Sequence, residues 1–275
     1  MQINFWIKYG TILLSDFQTP RLDTELLISY ILKKSRTWIN VFDNFILNTK
    51  QVILLKKLLN RRLYGEPVAY IIHKKEFWSL SLLVSKDTLI PRPETEILVQ
   101  HSLNRLHQQD DVLDLGTGCG AIALAIATEF TNCKIIGIDC IYDAIQIAKN
   151  NAYYLNIKNI KFFYSNWFSC IHKKFNLIVS NPPYLSNDEI LYLSKELFFE
   201  PYVALFAKQY GLSEIKYIIS HSKKYLFLNG WLLIEHSYKQ NQIVYQLFKK
   251  NNFNNIKTYR DYLGYPRITV GQKIY

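Results

Sequence analysis

From Asp111 onward, short apolar runs alternate with longer stretches of helical periodicity, and this alternation restricts the fold more than any other feature. "DVLDL" precedes "AIALAIATEF", "KIIGID" precedes "YDAIQIAKNNAYYL", and "IKFFYS", "FNLIVSN" and "GWLLIEH" follow. Strands that are apolar on both faces are buried on both, and parallel neighbours need a crossover helix between them. The pattern therefore predicts an α/β fold, a Rossmann-like parallel sheet covered by helices on both faces. Two final extended pieces, near "NIKTYRD" and "RITVGQKIY", have no helix-length spacer between them and predict a closing antiparallel hairpin.

The first third reads as helices. "PRLDTELLISYIL" sets Leu22, Leu26, Tyr30 and Ile31 on one face, with Pro20 near the helix start. "TKQVILLKKLLNRRL" does the same through Val52, Leu55, Leu59 and Leu63, with Thr49 as the expected cap. Gly65 and Pro67 interrupt this pattern, and a β-rich aromatic stretch follows. The organisation expected is a small helical domain over 1–64, a linker or β-hairpin over 65–90 and the sheet domain over 91–275.

Composition narrows the class. With 275 residues, 49% hydrophobic and 20% charged, the chain can bury a core and is not disordered. No apolar run reaches the roughly 18–20 residues of a membrane span, and "MQINFWIKYGTILLSD" lacks the pattern of a secretory signal. Cys119, Cys133, Cys140 and Cys170 show neither C-x-x-C spacing nor partnered histidines. A zinc site and a disulfide framework are therefore not indicated, and a cytoplasmic protein is expected. The net charge of +11 sits mainly in the first third: residues 1–86 carry 13 Lys/Arg against 6 Asp/Glu. Two sources remain open, an acidic or RNA-bearing partner and a general bias toward Lys, Asn and Ile.

"DLGTGCG", Asp114 to Gly120, follows the first strand and opens a helix. Gly116, Gly118 and Gly120 let the backbone turn sharply and approach a ligand closely. Their spacing is not the G-x-G-x-x-G that cradles a dinucleotide pyrophosphate, which suits S-adenosylmethionine, a cofactor without one. Asp139 ends the next strand, where a carboxylate can accept hydrogen bonds from two ribose hydroxyls. Asn181 ends the fourth strand, on the same carboxyl edge, and opens "NPPY". The Asn181 side-chain carbonyl and the Pro182 backbone carbonyl can accept both hydrogens of a planar NH₂ group. Tyr184 can stack on that group, and Pro182 and Pro183 stiffen the turn. A delocalised amide or arylamine nitrogen needs alignment with an activated methyl more than it needs a strong base. His172, His221 and His236 are accordingly read as surface or packed residues, and Arg92 and Glu94 as a helix-start cluster.

Over nearly its whole length the chain resembles the release factor glutamine N5-methyltransferases. The stretches carrying this are "RRLYGEPVAYI", "EFWSLSLLVSKDTLIPRPETEILV", "VLDLGTGCGAIALAIA", "SNWFS", "IVSNPPYL", "LLIEH" and "RDYLGYPRITVGQ". "NPPY" is shared with amino-directed nucleic-acid methyltransferases, whereas "LIPRPETE" is much more specific. The resemblance implies that Gly116, Thr117, Gly118, Cys119, Gly120, Asp139, Trp167 and Asn181 contact S-adenosylmethionine, with Trp167 near the adenine. It also implies that Asn181, Pro182, Pro183 and Tyr184 hold the glutamine of a Gly-Gly-Gln loop in peptide chain release factors. The helical first domain would dock that substrate. A monomer is expected, with no metal, no membrane and at most non-specific nucleic-acid binding.

Two departures stand out. His73 occupies a position where such enzymes often have a turn glycine, and "ALFAKQYGL" lacks their acidic–glycine pair before the leucine. The alternative enzyme reading is adenine or cytosine N-methylation of DNA or RNA. A third is a non-catalytic RNA- or ribosome-binding protein on the same fold.

Overall fold

A computed structural model describes residues 1–192 and 194–274. The chain divides into two units, Met1–Lys74 together with Ser194–Phe199, and the remainder.

The first unit contains α1 (Ile3–Leu13), α2 (Pro20–Leu32), α3 (Arg36–Val41), α4 (Thr49–Leu63) and α5 (Val68–Ile72). Ile3, Trp6, Leu27, Ile28, Leu55 and Leu59 lie in its core. The buried face of α2 is rotated from the expected one: Tyr30 is 44% exposed, while Leu27 and Ile28 are fully buried. Two physical facts explain the rotation. A Cβ on Gly10 would lie 2.5 Å from the Thr24 side chain, so α1 approaches α2 closely along the Thr24 face. Asp23 and Glu25 are buried beside it because Arg62 Nε donates to Asp23 at 2.6 Å, and Arg21 and Arg36 donate to Glu25 at 2.9 and 2.6 Å. Paired carboxylates thus occupy positions that a helical wheel assigns to solvent.

The cap of α4 is Asn48 rather than Thr49. Asn48 Oδ1 accepts from the Gln51 N–H at 2.9 Å, and Gln51 Oε1 accepts from the Asn48 N–H at 2.9 Å, a reciprocal capping box. The stretch read as linker holds α5, which ends at His73 with φ +57°.

The second unit opens with a hairpin, β1 (Lys74–Phe77) and β2 (Leu80–Leu83), whose first residue closes the helical unit, followed by α6 (Thr95–Leu103). Then come β3 (Asp111–Leu115), α7 (Ala121–Glu129), β4 (Lys134–Asp139), α8 (Tyr142–Tyr154), β5 (Ile160–Tyr164) and β6 (Phe175–Ser180). After β6 lie the short α9 (Tyr202–Leu205) and α10 (Lys208–Gly211), then α11 (Ser213–Tyr225), β7 (Leu226–Glu235), α12 (Asn241–Lys250), β8 (Asn254–Arg260) and β9 (Pro266–Gln272). The seven-stranded sheet runs β5-β4-β3-β6-β7-β9-β8. β3 to β7 pair in parallel, and β9 is antiparallel to both β7 and β8, forming the closing hairpin.

The sheet is a mixed α/β sheet of the expected class, and its register positions the site. Leu115 is level with Ile138 on β4 and with Ser180 on β6. The next residues, Gly116, Asp139 and Asn181, therefore leave the sheet at one carboxyl edge. The strand order reverses there, β4 lying on one side of β3 and β6 on the other, and such a reversal opens a crevice. Phe175, Ile178, Ile215, Ile219, Leu232 and Phe248 anchor the core beneath it. Truncating a ring as deeply buried as Phe175 to alanine costs about 3–5 kcal/mol.

Candidate functional site

The crevice holds a cavity of about 420 Å³ whose lining includes Gly116, Gly118, Asp139, Trp167, Asn181 and Pro183. Its size is within the range of small-molecule sites.

The glycine loop leaves β3 in left-handed conformations, with φ of +73° at Gly116, +55° at Gly118 and +87° at Gly120. Residues bearing a Cβ adopt this region at a cost, which is why glycine recurs here. A Cβ built on Gly118 meets nothing within 4 Å, so the backbone faces open space. The loop is pinned from below: the Gly116 and Thr117 N–H groups donate to the Ile138 carbonyl at 3.0 and 2.8 Å. Thr117 Oγ1 donates to Asp114 Oδ2 at 2.6 Å, and Asn151 Nδ2 donates to the Cys119 carbonyl at 2.9 Å. Thr117, Cys119 and Gly120 are not part of the cavity lining and shape the turn from behind.

Asp139 holds the loop from the neighbouring strand. Its Oδ2 accepts from the Gly118 N–H at 2.8 Å and its Oδ1 from the Ile141 N–H at 2.9 Å. Burial pushes its carboxyl above the usual range, and those backbone donors oppose the shift. Asp114, fully buried under the loop, is pushed up to about 7, mainly by burial and partly by the charge of Asp139, and its Oδ1 has no partner.

Trp167 sits opposite the loop at φ +46°, its ring atoms 3.6 and 3.7 Å from where a Cβ on Gly116 would lie. The indole Nε1 donates to Glu214 Oε2 at 2.8 Å, which fixes the ring plane. Glu214, Asp87 and Cys140 also line the cavity and were not singled out from the sequence. Glu214 opens α11 after a helical approach without a recognisable motif, so only proximity reveals it.

Asn181 follows β6 where Pro182 ends the ladder. Ser180 Oγ donates to the Leu115 carbonyl at 2.7 Å and locks the two strand ends together. Asn181 Nδ2 donates to Thr95 Oγ1, at the first turn of α6, at 3.2 Å. Pro183 lines the cavity, whereas Pro182 and Tyr184 are not part of the lining. The Tyr184 hydroxyl instead points to Glu235 Oε1, 3.4 Å away, and its backbone carbonyl accepts from Gln240 Nε2 at 3.0 Å. Burial, reinforced by the Glu235 charge, holds the Tyr184 phenol well above its ordinary value. Leu185 and Ala207 are bonded backbone to backbone at 3.0 Å, which folds the following chain back beside the clamp, where Val203, Ala204 and Phe206 form an apolar wall.

The histidines take no part in the cavity. His236 is buried, bonded to the Ser237 carbonyl and to Thr269, and burial lowers it to about 4. Arg92 pairs with buried Glu200, which also accepts from the Ile90 N–H at 3.0 Å, and this braces the turn before α6. Among the described residues no cluster of His, Cys, Asp or Glu could hold a metal ion, and no helix is long and apolar enough to cross a membrane.

Comparison with known proteins places the whole chain. Residues 91–208 match the family described as Methyltransferase small domain, and residues 6–72 match the PrmC N-terminal domain. The chain is 52% identical over 276 residues to the release factor glutamine methyltransferase of Buchnera aphidicola subsp. Baizongia pistaciae, covering 99% of this chain and 100% of the relative. It is 53% identical over 274 residues to that of Buchnera aphidicola subsp. Acyrthosiphon pisum, covering 99% of each. Among solved structures, a methyltransferase from Pyrococcus furiosus superposes with a TM-score of 0.56 at 18% identity, over 79% of this chain and 98% of that one; this likeness speaks to the fold alone. Identity of about half, sustained from one end of the relatives to the other, means that the chain belongs to the family of release factor glutamine methyltransferases.

Proposed function

We propose that the protein transfers a methyl group from S-adenosylmethionine to the side-chain amide nitrogen of the glutamine in the Gly-Gly-Gln loop of peptide chain release factors. The observation that carries this reading is the convergence of a side-chain-free glycine loop, a strand-end carboxylate and a tethered asparagine on one cavity.

The residues present fit the cofactor. Gly118 turns bare backbone to open space, Asp139 offers its remaining lone pairs to the ribose hydroxyls, and Trp167 supplies a fixed aromatic face for adenine. When bound, S-adenosylmethionine supplies a methyl already activated by a sulfonium. The rest of the task is alignment of the acceptor. Asn181 Oδ1 and the Pro182 carbonyl accept the two N–H hydrogens of the glutamine amide. Acceptance at both hydrogens favours the positive charge that builds on nitrogen as the N–C bond forms. One amide proton is then lost to solvent. The wall of Val203, Ala204 and Phe206 borders the cavity with apolar surface and limits water beside the acceptor.

The helical unit is the docking element for the release factor in this reading, and the enzyme works as a monomer in the cytoplasm. Cys119, Cys133, Cys140 and Cys170 are all free thiols, which fits a reducing compartment. The test is mass spectrometry of a release factor incubated with enzyme and methyl donor. One added methyl on the Gly-Gly-Gln glutamine, abolished when that glutamine becomes alanine, is expected. Methyl groups on DNA or RNA with the release factor unmodified would overturn the substrate. Charge-driven nucleic-acid binding at low salt should fade steeply as salt rises.

A further inference from the structure

Glu235 is the last residue of β7, 1% exposed, and its Oε2 has no hydrogen-bond partner. A buried carboxyl with an unpartnered oxygen is costly, and the cost calls for a reason. Its surroundings supply one. The Tyr184 hydroxyl points at Oε1, at 3.4 Å, and the Thr95 side chain is close enough to the same carboxyl to favour its ionised form. Thr95, itself 4% exposed, is the group to which Asn181 Nδ2 donates. Glu235 therefore touches both ends of the Asn181–Tyr184 clamp, one directly and one through Thr95.

A hydroxyl has one proton to give. While Glu235 is a carboxylate, Thr95 gives that proton to it and can only accept from Asn181. The Asn181 amide must then turn Nδ2 toward Thr95 and Oδ1 away, toward the acceptor's NH₂. If the carboxylate is neutralised or replaced by an amide, Thr95 is free to donate to Asn181 Oδ1. The side chain can then flip and present NH₂ to NH₂, two donors face to face. The geometry points to Glu235 as a positioning residue that sets, through Thr95, which end of the Asn181 amide meets the methyl acceptor, and that anchors Tyr184 in the same stroke. This rests on the function proposed above.

Burial raises Glu235 to about 7; Arg267 on β9 and the Thr95 and Tyr184 hydroxyls pull it down, and Glu94 pushes it up. The active form is the carboxylate, so turnover falls as pH drops through about 7.

The test compares full-length wild type with Glu235→Gln, Thr95→Val and Thr95→Ser. Glu235→Gln and Thr95→Val should each lower kcat on a release factor by about tenfold or more, with cofactor affinity by calorimetry changed by less than about twofold. Thr95→Ser keeps the hydroxyl and should recover most of the loss. The acid limb of the wild-type kcat profile should be absent in Glu235→Gln. If Glu235→Gln does not fold, the two Thr95 variants decide the matter. Wild-type kcat with an intact acid limb in Glu235→Gln would overturn the proposal, as would full activity in Thr95→Val. A second readout needs no turnover. The Asn181 Nδ2 proton resonances, assigned by their loss in Asn181→Ala, should move in Glu235→Gln. Unmoved resonances sink the orientation argument. Moved resonances beside a wild type that leaves release factors unmethylated would sink the substrate reading and spare this one.

Discussion

Asp139 does two jobs with one carboxylate, and a substitution should separate them from general damage. It pins the Gly118 and Ile141 amides, and in the proposed complex it also accepts from ribose. Asp139→Ala should weaken S-adenosylmethionine binding by about 1–3 kcal/mol, the cost of leaving buried donors unpaired. Calorimetry on the folded variant measures this directly, and unchanged affinity would remove Asp139 from the site. Asn181 makes a different demand. Its acceptor oxygen matters most as charge develops, so Asn181→Ala should reduce turnover roughly a hundredfold or more while cofactor affinity falls far less. Single-turnover assays at saturating release factor distinguish the two effects; a near wild-type rate there is incompatible with the role given to Asn181.

Helix and loop ends carry strain at places the sequence had marked as unusual. His73 closes α5 at φ +57°, a left-handed cap that suits glycine. His73→Gly should raise stability by about 0.5–1 kcal/mol, because removing the Cβ relieves more strain than the added chain entropy costs. His73→Ala keeps the Cβ and should gain little. Urea midpoints of the three proteins, compared at equal m-value, test the contrast. The second departure has the same geometry: Gln209 and Tyr210 both lie in the left-handed region, at φ +54° and +58°, just before Gly211. Gln209 and Tyr210 thus hold side chains on left-handed backbone near the clamp, since Gln240 Nε2 donates to the carbonyls of Tyr210 and Gly211 as well as Tyr184.

Each unit has its own hydrophobic core, and every cofactor contact proposed here lies in the second. The boundary between them falls after Lys74, the first residue of the hairpin. Leu83 exchanges hydrogen bonds with Asn151, and Asn151 in turn holds the Cys119 carbonyl under the glycine loop. A fragment starting at Lys75 should therefore bind S-adenosylmethionine within about twofold of the full chain, whereas one starting at Ser85 should bind it less well because that support is lost. The Lys75 fragment should lose most of its affinity for a release factor, having lost the basic helical unit. Titrations of both ligands against both fragments and the full chain measure this, and undiminished release-factor affinity would contradict the docking role.

Local chemistry was legible in the residues themselves. Glycines that must turn left-handed, prolines that must end a ladder, and apolar runs of strand length announce themselves wherever they occur, because the forces behind them act over a few residues. For that reason Gly116–Gly120, Asp139 and Asn181 could be placed on one sheet edge before any coordinates. The rest depended on partners far apart in sequence. The true face of α2 was hidden because Asp23 and Glu25 are polar until Arg62, Arg21 and Arg36 neutralise them inside the fold. Tyr184 reads from the sequence as a ring to stack on the substrate, but nothing local shows that its hydroxyl meets Glu235, 51 residues away. The pairing of Trp167 with Glu214, 47 residues on, and of Asn181 with Thr95, 86 residues back, arises the same way. Hydrogen-bond direction at a buried hydroxyl is decided by what surrounds it in three dimensions, and no window of sequence contains that information.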